Sequence, residues 1–190
     1  LMFGFSYTEG GPWNDDGIKA IAKFLDRVEK IVAKVAACKT PKEEGPYGAE
    51  EKALDYAKNY AIERVTRDAE AFSFNTAIAR IMEFVNALYR YDGLELKNIA
   101  FEKAAVHDLV LLLAPFAPHV CEELWEMIGG KDFVIEESYP VADPKTLVHD
   151  EKEYAVQVNS RMVCKAMIAT SLSQEEVEQH VLTLPEVQEK

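Results

Sequence analysis

Five basic residues near the start of the chain recur at helical spacing. They follow one another at steps of four, four, three and four residues and are Lys19, Lys23, Arg27, Lys30 and Lys34. At about 100° per residue, an α-helix would place them within an arc of roughly 80°, turned away from the apolar residues of the same segment. Such a row of cations can bind successive phosphates of a nucleic acid. It is equally compatible with a solvated helix face whose charge is balanced by acids such as Asp26 and Glu29.

Four further arginines lie on the next two predicted helices, and they are Arg64, Arg67, Arg80 and Arg90. They could extend the row of cations or form ion pairs with the neighbouring acids Glu63, Asp68 and Glu83. Because exposed pairs of this kind are common on helix surfaces, the sequence favours pairing.

Residues suited to catalysis are sparse. The chain contains no glycine-rich phosphate loop, no GxSxG segment and no HExxH segment. His119 comes nearest to a metal site, because Glu122 and Glu123 follow at helical spacing and can share a helix face with the imidazole. Since His119 follows Pro118 at a predicted helix start, interactions with the helix end explain it better. We therefore expect no catalytic residue and no bound metal ion or cofactor in this chain.

The charge balance limits the possible partners. The 190 residues carry a formal net charge of −12, from 21 basic and 33 acidic residues. A strongly acidic protein is not attracted as a whole to nucleic acid or to anionic membranes, so any RNA contact must use a local basic patch. The longest apolar run is interrupted by Pro115 and Pro118 and is too short to cross a membrane. The sequence therefore predicts a soluble protein.

The cysteines and the first residues bear on location. Cys38, Cys121 and Cys164 lie far apart and form no CxxC pair. We interpret them as free thiols, which favours the reducing cytoplasm. The chain begins with Leu1, and no charged region followed by an apolar segment comes after it, so no secretory signal is expected. We expect the sequence to begin within a longer protein.

Hydrophobic periodicity predicts five successive helices between Asp16 and about Ile128. Asn75 and Asn98 are expected to cap the third and the fourth helix, and Pro118 suits the first turn of the fifth. The connections between these segments are short, which predicts a helical bundle.

The pattern changes after the fifth helix. Residues 131–148 contain two prolines and no helical stripe, which predicts an extended strap. From Tyr154 the apolar residues alternate with a period of two, which predicts a β-hairpin followed by a short helix. Two strands and one helix are too few to enclose a core, so this second domain is expected to be incomplete. The predicted fold is mainly α, with a bundle and strap at 1–148 and a small α/β domain at 149–190.

Motifs along nearly the whole chain resemble one family. Residues 111–126, with the sequence LLLAPFAPHVCEELWE, are similar to the signature of the helical anticodon-binding domain of class Ia aminoacyl-tRNA synthetases. Residues 12–13, 24–28, 74–78 and 154–159 narrow the resemblance to the bacterial-type leucyl-tRNA synthetase family. Isoleucyl, valyl and methionyl relatives share the middle motif but not the end of the chain. The alternative identification is the corresponding region of one of these three synthetases.

The resemblance implies a role in supporting tRNA. The family carries HIGH and KMSKS motifs in a separate adenylate-forming domain, and neither motif occurs here, so the chain itself is expected to have no catalytic site. The parent enzyme would join leucine to tRNA(Leu) with ATP and magnesium. The implied partners are tRNA(Leu) and the catalytic domain of the same parent chain, with no membrane and no DNA.

Candidate tRNA-binding residues come from both domains. In the first domain they are the five cations of the first helix. In the second domain Arg161 and Lys165 keep basic positions of the family, whereas Ser160 and Val163 replace a turn glycine and an arginine.

Two interpretations outside this family remain open. A non-enzymatic helical adaptor would account for the acidic charge and for the lack of catalytic residues. An enzyme with a metal ion bound at His119, Glu122 and Glu123 is the other. The adaptor predicts no salt-sensitive binding to tRNA, and the enzyme predicts a stoichiometric metal ion.

Overall fold

The computed structural model describes Gly10 and residues 15–39, 47–147, 151–158, 161–169 and 174–183. The chain divides into two compact units, Leu1–Thr146 and Leu147–Lys190. The described part of the first unit contains five α-helices, which are α1 (Asp15–Ala37), α2 (Ala49–Glu70), α3 (Phe74–Asp92), α4 (Ile99–Leu113) and α5 (Pro118–Met127). The described residues of the second unit form two strands, β1 (Glu151–Val158) and β2 (Arg161–Ala169), and one helix, α6 (Gln174–Leu182). These elements confirm the predicted, mainly helical fold class.

The helices of the first unit bury the apolar stripes that their sequences predict. In α1 the fully buried Val28 and Val32 lie one turn apart, and in α3 Ile81 and Val85 repeat the pattern. The stripes of all five helices meet in one apolar core. Among the described helices, none is long and apolar enough to cross a membrane.

One of the two predicted caps is confirmed and the other is wrong. The side chain of Asn98 accepts a hydrogen bond from the backbone N–H of Phe101 at 2.9 Å, as expected of an N-cap residue. Asn75 is not a cap, because α3 begins one residue earlier, at Phe74. Phe74 is the first residue of α3, and its ring packs edge-on against Phe116 with centroids 6.2 Å apart.

The end of α5 is closed by a tight contact between a glycine and a tryptophan. Trp125 is buried, and its Nε1 donates a hydrogen bond to the carbonyl oxygen of Lys131 at 3.0 Å. A Cβ atom at Gly130 would lie 2.3 Å from the Trp125 ring, so only glycine fits there. Gly129 beside it has φ +86°, which favours glycine as well.

An extended strap follows α5, as predicted, and is held to the bundle by several contacts. A 3₁₀ turn at Val134–Glu136 inserts the buried Val134 side chain into the core. The N–H of Val134 donates to Oε2 of Glu122 at 3.1 Å. Further along, the N–H of Asp143 donates to Oδ1 of the buried Asn59 on α2 at 2.7 Å.

The second unit is a hairpin with a helix beside it. β1 and β2 are antiparallel, and the register changes between Val156 and Gln157. Val156 and Ala166 are buried against the partly buried Val177 of α6. The predicted turn at Ser160 lies outside the described residues.

Candidate nucleic-acid interface

The five cations of α1 are all solvent-exposed along one side of the helix, as their spacing predicts. They are Lys19, Lys23, Arg27, Lys30 and Lys34. The opposite side of α1 carries the buried apolar stripe, so the cations and the core do not compete for space. The five residues differ, however, in the partners that surrounding elements give them.

Two of the cations form exposed ion pairs within α1. Lys19 lies 3.1 Å from Asp16, and Lys30 lies 2.6 Å from Asp26. The hydrogen bond from Lys30 to Asp26 raises the pKa of the Lys30 ammonium further above its ordinary value. Exposed pairs one turn apart contribute little stability and are screened by salt. An incoming phosphate can therefore replace the carboxylate at either lysine.

Arg27 is held in place by two neutral groups on α3. Its Nη2 donates to Oδ1 of Asn86 at 2.9 Å, and its guanidinium carbon lies 5.0 Å from the centroid of the Tyr89 ring. Tyr89 also donates its hydroxyl to the backbone oxygen of Arg27 at 2.8 Å. These contacts orient the guanidinium without neutralising it. Lys23, one turn away, is exposed and has no carboxylate partner within the described ranges.

Lys34 belongs to a different arrangement. Its Nζ lies 2.5 Å from Oδ2 of Asp92, whose side chain is only 6% exposed. Lys97 donates to the other oxygen of Asp92 at 2.6 Å and lies 2.9 Å from Glu102, which is fully buried. Burial opposes the charge of Asp92, but hydrogen bonds from Lys34 and Lys97 outweigh it and lower the pKa of the carboxyl. Lys34 is therefore part of a buried ion network and already has a carboxylate partner.

A second branch of polar contacts joins the same helix ends. The hydroxyl of Tyr91 donates to Oε1 of the buried Glu51 at 2.6 Å and accepts the N–H of Asn98 at 2.8 Å. Oε2 of Glu51 accepts the N–H of Gly48 at 2.7 Å, which caps the start of α2. The beginning of α2, the end of α3 and the beginning of α4 are thereby held together.

These buried partners are not among the residues predicted from the sequence. One signal was available, because Glu102 falls on the apolar stripe of α4, four residues before the buried Val106. A charged residue at such a position is expected to have a buried partner of opposite charge. That partner, Lys97, lies five residues earlier in the connection before α4, where helical periodicity makes no prediction.

Three of the four further arginines form the ion pairs that the sequence favours. Arg64 lies 3.0 Å from Glu63, Arg67 lies 3.5 Å from Asp68, and Arg80 lies 3.0 Å from Glu83. Arg90 is exposed and lines a shallow hollow between α2 and α3.

The two candidates of the second unit lie on β2. Arg161 is its first residue and pairs with Val158 of β1, and Lys165 pairs with Ala155. The two residues are four positions apart on one strand.

The structure describes the surroundings of His119 and Glu122, two residues of the alternative metal site. Glu122 accepts the N–H of Val134, as described above, and His119 is exposed at the start of α5. Cys121 is buried, and this burial raises the pKa of its thiol to about 12, so it stays protonated and unreactive. In the part of the chain that the structure covers, no three His, Cys, Asp or Glu side chains are grouped closely enough to hold a metal ion.

Comparison with known proteins identifies a family over most of the chain. Residues 51–179 match the family described as "Anticodon-binding domain of tRNA ligase". The matched range extends from α2 through the hairpin and into α6.

Similar curated proteins carry the name leucine–tRNA ligase. The one from Clostridium kluyveri is 47% identical over 181 residues, which covers 94% of this chain and 22% of the relative. The one from Caldanaerobacter subterraneus subsp. tengcongensis is 48% identical over 188 residues, which covers 96% of this chain and 23% of the relative. The chain thus spans less than a quarter of the length of these relatives.

A solved structure shares the fold. The agnB2 LeuRS of Agrobacterium radiobacter K84, in a ternary complex with tRNA and LeuAMS, is similar with a TM-score of 0.81 and 30% sequence identity. The similarity covers 99% of this chain and 25% of that chain.

Proposed function

Because this chain belongs to the family of anticodon-binding domains of tRNA ligases, we propose that it is the tRNA-supporting region of a leucine–tRNA ligase. Identities of 45–48% to curated leucine–tRNA ligases support leucine as the amino acid and tRNA(Leu) as the partner. The chain would act by positioning, since binding the tRNA body fixes where the acceptor end lies.

The charge of Arg27, which forms no ion pair with any residue that the structure describes, is the observation that carries this proposal for the first unit. A protein with a net charge of −12 repels RNA as a whole, so we expect the strongest phosphate contact at a cation that is not already neutralised. Arg27 is oriented by Asn86 and Tyr89, both neutral, and exposed Lys23 lies one turn away. We assign the primary phosphate contact to these two cations.

We rank the other predicted phosphate contacts by the interaction that each cation would lose on binding RNA. Lys19 and Lys30 would exchange an exposed carboxylate for a phosphate, which costs little. Lys34 would leave Asp92 with one hydrogen bond fewer, so we rank it last in α1. In the second domain, proposed to span 149–190, Arg161 and Lys165 on β2 would provide a separate contact with tRNA.

The chemical step would take place on the catalytic domain of the parent ligase. ATP and magnesium would serve there to activate leucine, and the residues of this chain would bind the tRNA and hold it in register with that site. Since tRNA charging and three free thiols both fit a reducing compartment, we propose a cytoplasmic location.

The test is binding of tRNA(Leu) to this chain at several salt concentrations, from about 50 to about 200 mM. The variant Lys23→Glu/Arg27→Glu is compared with Lys52→Glu/Lys131→Glu, which makes the same charge change at two exposed lysines away from α1. We expect the wild type to bind less tightly as salt rises, and the slope of log affinity against log salt to be reduced by about 0.9 for each phosphate that the α1 variant no longer binds.

The control fixes the interpretation. If both double variants bind as the wild type does, the α1 contact is wrong. If the wild type itself shows no salt-dependent binding to tRNA, the helical adaptor becomes the better interpretation of the chain.

A further inference from the structure

A cluster of arginine and aromatic side chains lies near the corner between α2 and α3, separate from the cations of α1. The guanidinium carbon of Arg64 lies 5.1 Å from the centroid of the Tyr60 ring, and that of Arg80 lies 5.9 Å from the same centroid. Tyr60 in turn stacks on Tyr56, with centroids 5.8 Å apart and ring planes inclined by 20°. One ring of α2 therefore holds a guanidinium group from each of the two helices.

The acidic neighbours use only part of these guanidinium groups. Glu83 binds Nη1 of Arg80 through both carboxylate oxygens at 3.0 Å. Glu63 lies 3.0 Å from Nε of Arg64 without the geometry of a hydrogen bond. An arginine presents five N–H donors. Among the described residues, the terminal nitrogens of Arg64 and Nη2 of Arg80 form no hydrogen bond to a carboxylate.

Two donors in the cluster form no hydrogen bond of good geometry. Nε of Arg64 and Nε of Arg80 are both shielded from solvent, and neither forms a hydrogen bond within the described ranges. A buried N–H group without an acceptor raises the free energy of the folded protein. A bound anion that draws the guanidinium groups toward it would give these donors a better-oriented acceptor.

An aromatic ring at the corner supplies a second feature. Phe72 lies between the two helices with φ 57°, in the left-handed region that a bulky side chain rarely adopts. Its ring packs edge-on against Phe74, with centroids 5.8 Å apart, and its side chain remains 58% exposed. Strained backbone of this kind persists where the surrounding structure requires it and is frequent at binding sites. Exposed aromatic rings are the surfaces on which unpaired RNA bases stack.

We propose that the α2–α3 corner is a second RNA contact, in which Arg64 and Arg80 bind a backbone phosphate and Phe72 stacks on an unpaired base. The planar donor fork of arginine matches a phosphate, and an exposed ring matches a base, so the pair fits a nucleotide better than an acidic peptide. Both arginines are eight positions from Phe72, which is about two helical turns or roughly 12 Å along the axis. The phosphate and the base therefore belong to different nucleotides of one strand.

This inference rests on the proposed function, because it takes tRNA as the ligand. The experiment measures tRNA(Leu) binding against salt for Arg64→Gln/Arg80→Gln, with Lys52→Gln/Lys131→Gln as the control of equal charge change. We expect the slope of log affinity against log salt to fall by about 0.7 to 0.9 for each phosphate that is no longer bound, with the control unchanged. The variant Arg64→Lys/Arg80→Lys keeps the charge, so it should retain most of the slope while binding more weakly.

The aromatic part is tested independently of charge. Phe72→Ala should weaken binding by about five- to 150-fold at an unchanged salt slope, and Phe72→Tyr, which keeps the ring, should bind as the wild type does. Thermal unfolding of each variant separates weaker binding from impaired folding, and the lysine variant serves if the glutamine variant unfolds.

The outcomes distinguish this inference from the function on which it rests. If Lys23→Glu/Arg27→Glu weakens binding while both the arginine and the Phe72 variants bind normally, the second contact is wrong and the α1 contact stands. If the wild-type chain shows no salt-dependent binding to tRNA, both are overturned.

Discussion

Lys97 donates a 2.6 Å hydrogen bond to Asp92, and this nearly buried ion pair fastens the end of α3 to the residues that lead into α4. The Lys97 side chain is 12% exposed and also serves Glu102, which has no contact with solvent. One ammonium group thus compensates two buried carboxylates.

Replacing Lys97 by methionine should be strongly destabilising. Lys97→Met keeps the length of the side chain but leaves Glu102 without its cation and Asp92 with Lys34 alone. Removing one partner of a buried ion pair costs about 3–5 kcal/mol of unfolding free energy. Urea denaturation at pH 7 measures this effect, and Lys52→Met, at an exposed position of α2, should change stability by less than about 0.5 kcal/mol. A decrease of similar size in both variants would contradict the role given to Lys97.

The stability of the bundle should depend on pH through Asp92. Because the pKa of Asp92 is lowered in the folded state, its ion pairs contribute their full stabilisation above the unfolded-state pKa, about 3.9. That contribution is lost as the pH falls through the lower, folded-state pKa. Asp92→Asn should therefore be clearly less stable than the wild type at pH 7, and the difference should shrink below about pH 4. Urea midpoints at pH 7, 4 and 2.5 test this, and a difference that stays constant with pH would exclude it.

The contact between Gly130 and Trp125 should not tolerate a methyl group. Gly130→Ala would bring a Cβ atom to 2.3 Å from the indole ring, so Trp125 would have to move from its buried position. Overpacking of this kind costs about 1–3 kcal/mol. The midpoint of thermal unfolding and the near-ultraviolet circular dichroism of tryptophan should both change. Gly93→Ala is the comparison, because there a Cβ atom meets only ordinary contact distances at a negative φ.

The Tyr89 ring should matter for binding RNA even though it carries no charge. Tyr89→Leu removes the surface on which Arg27 lies, which frees the guanidinium to adopt other rotamers. We expect tRNA affinity to fall by about two- to fivefold, with the salt slope unchanged, because the number of cations stays the same. Tyr89→Phe keeps the ring and should bind more like the wild type. Equal affinity for the wild type and Tyr89→Leu would show that Arg27 needs no such support.

The fold could be predicted from the sequence where local rules decide. The five helices of the bundle, the cap at Asn98 and the pairing of Arg80 with Glu83 all involve residues within one or two turns of each other. The wrong cap at Asn75 shows the limit of such rules, because packing of Phe74 on Phe116 accompanies an earlier start of α3.

The state of the candidate site could be predicted only in part. The partners of Lys19 and Lys30 lie one turn away and are readable from spacing. The partner of Lys34 is 58 residues away, and those of Arg27 are equally remote, so they depend on how α1 lies against α3. Spacing alone therefore predicts five equivalent cations. In the structure, Lys19 and Lys30 form exposed ion pairs within α1, Arg27 is oriented by α3, and Lys34 belongs to a buried ion network.

The strap has a practical consequence for dissecting the molecule. Asp143 and Thr146 both form hydrogen bonds to α2, with Asn59 and Asp55 respectively, so a chain shortened after residue 147 would keep both contacts. A chain that ends at residue 130 would instead expose the part of the core that Val134 covers, and Oδ1 of Asn59 would lose the hydrogen bond from Asp143. A recombinant version of the first unit should therefore end after the strap, so that the two units can be assayed separately.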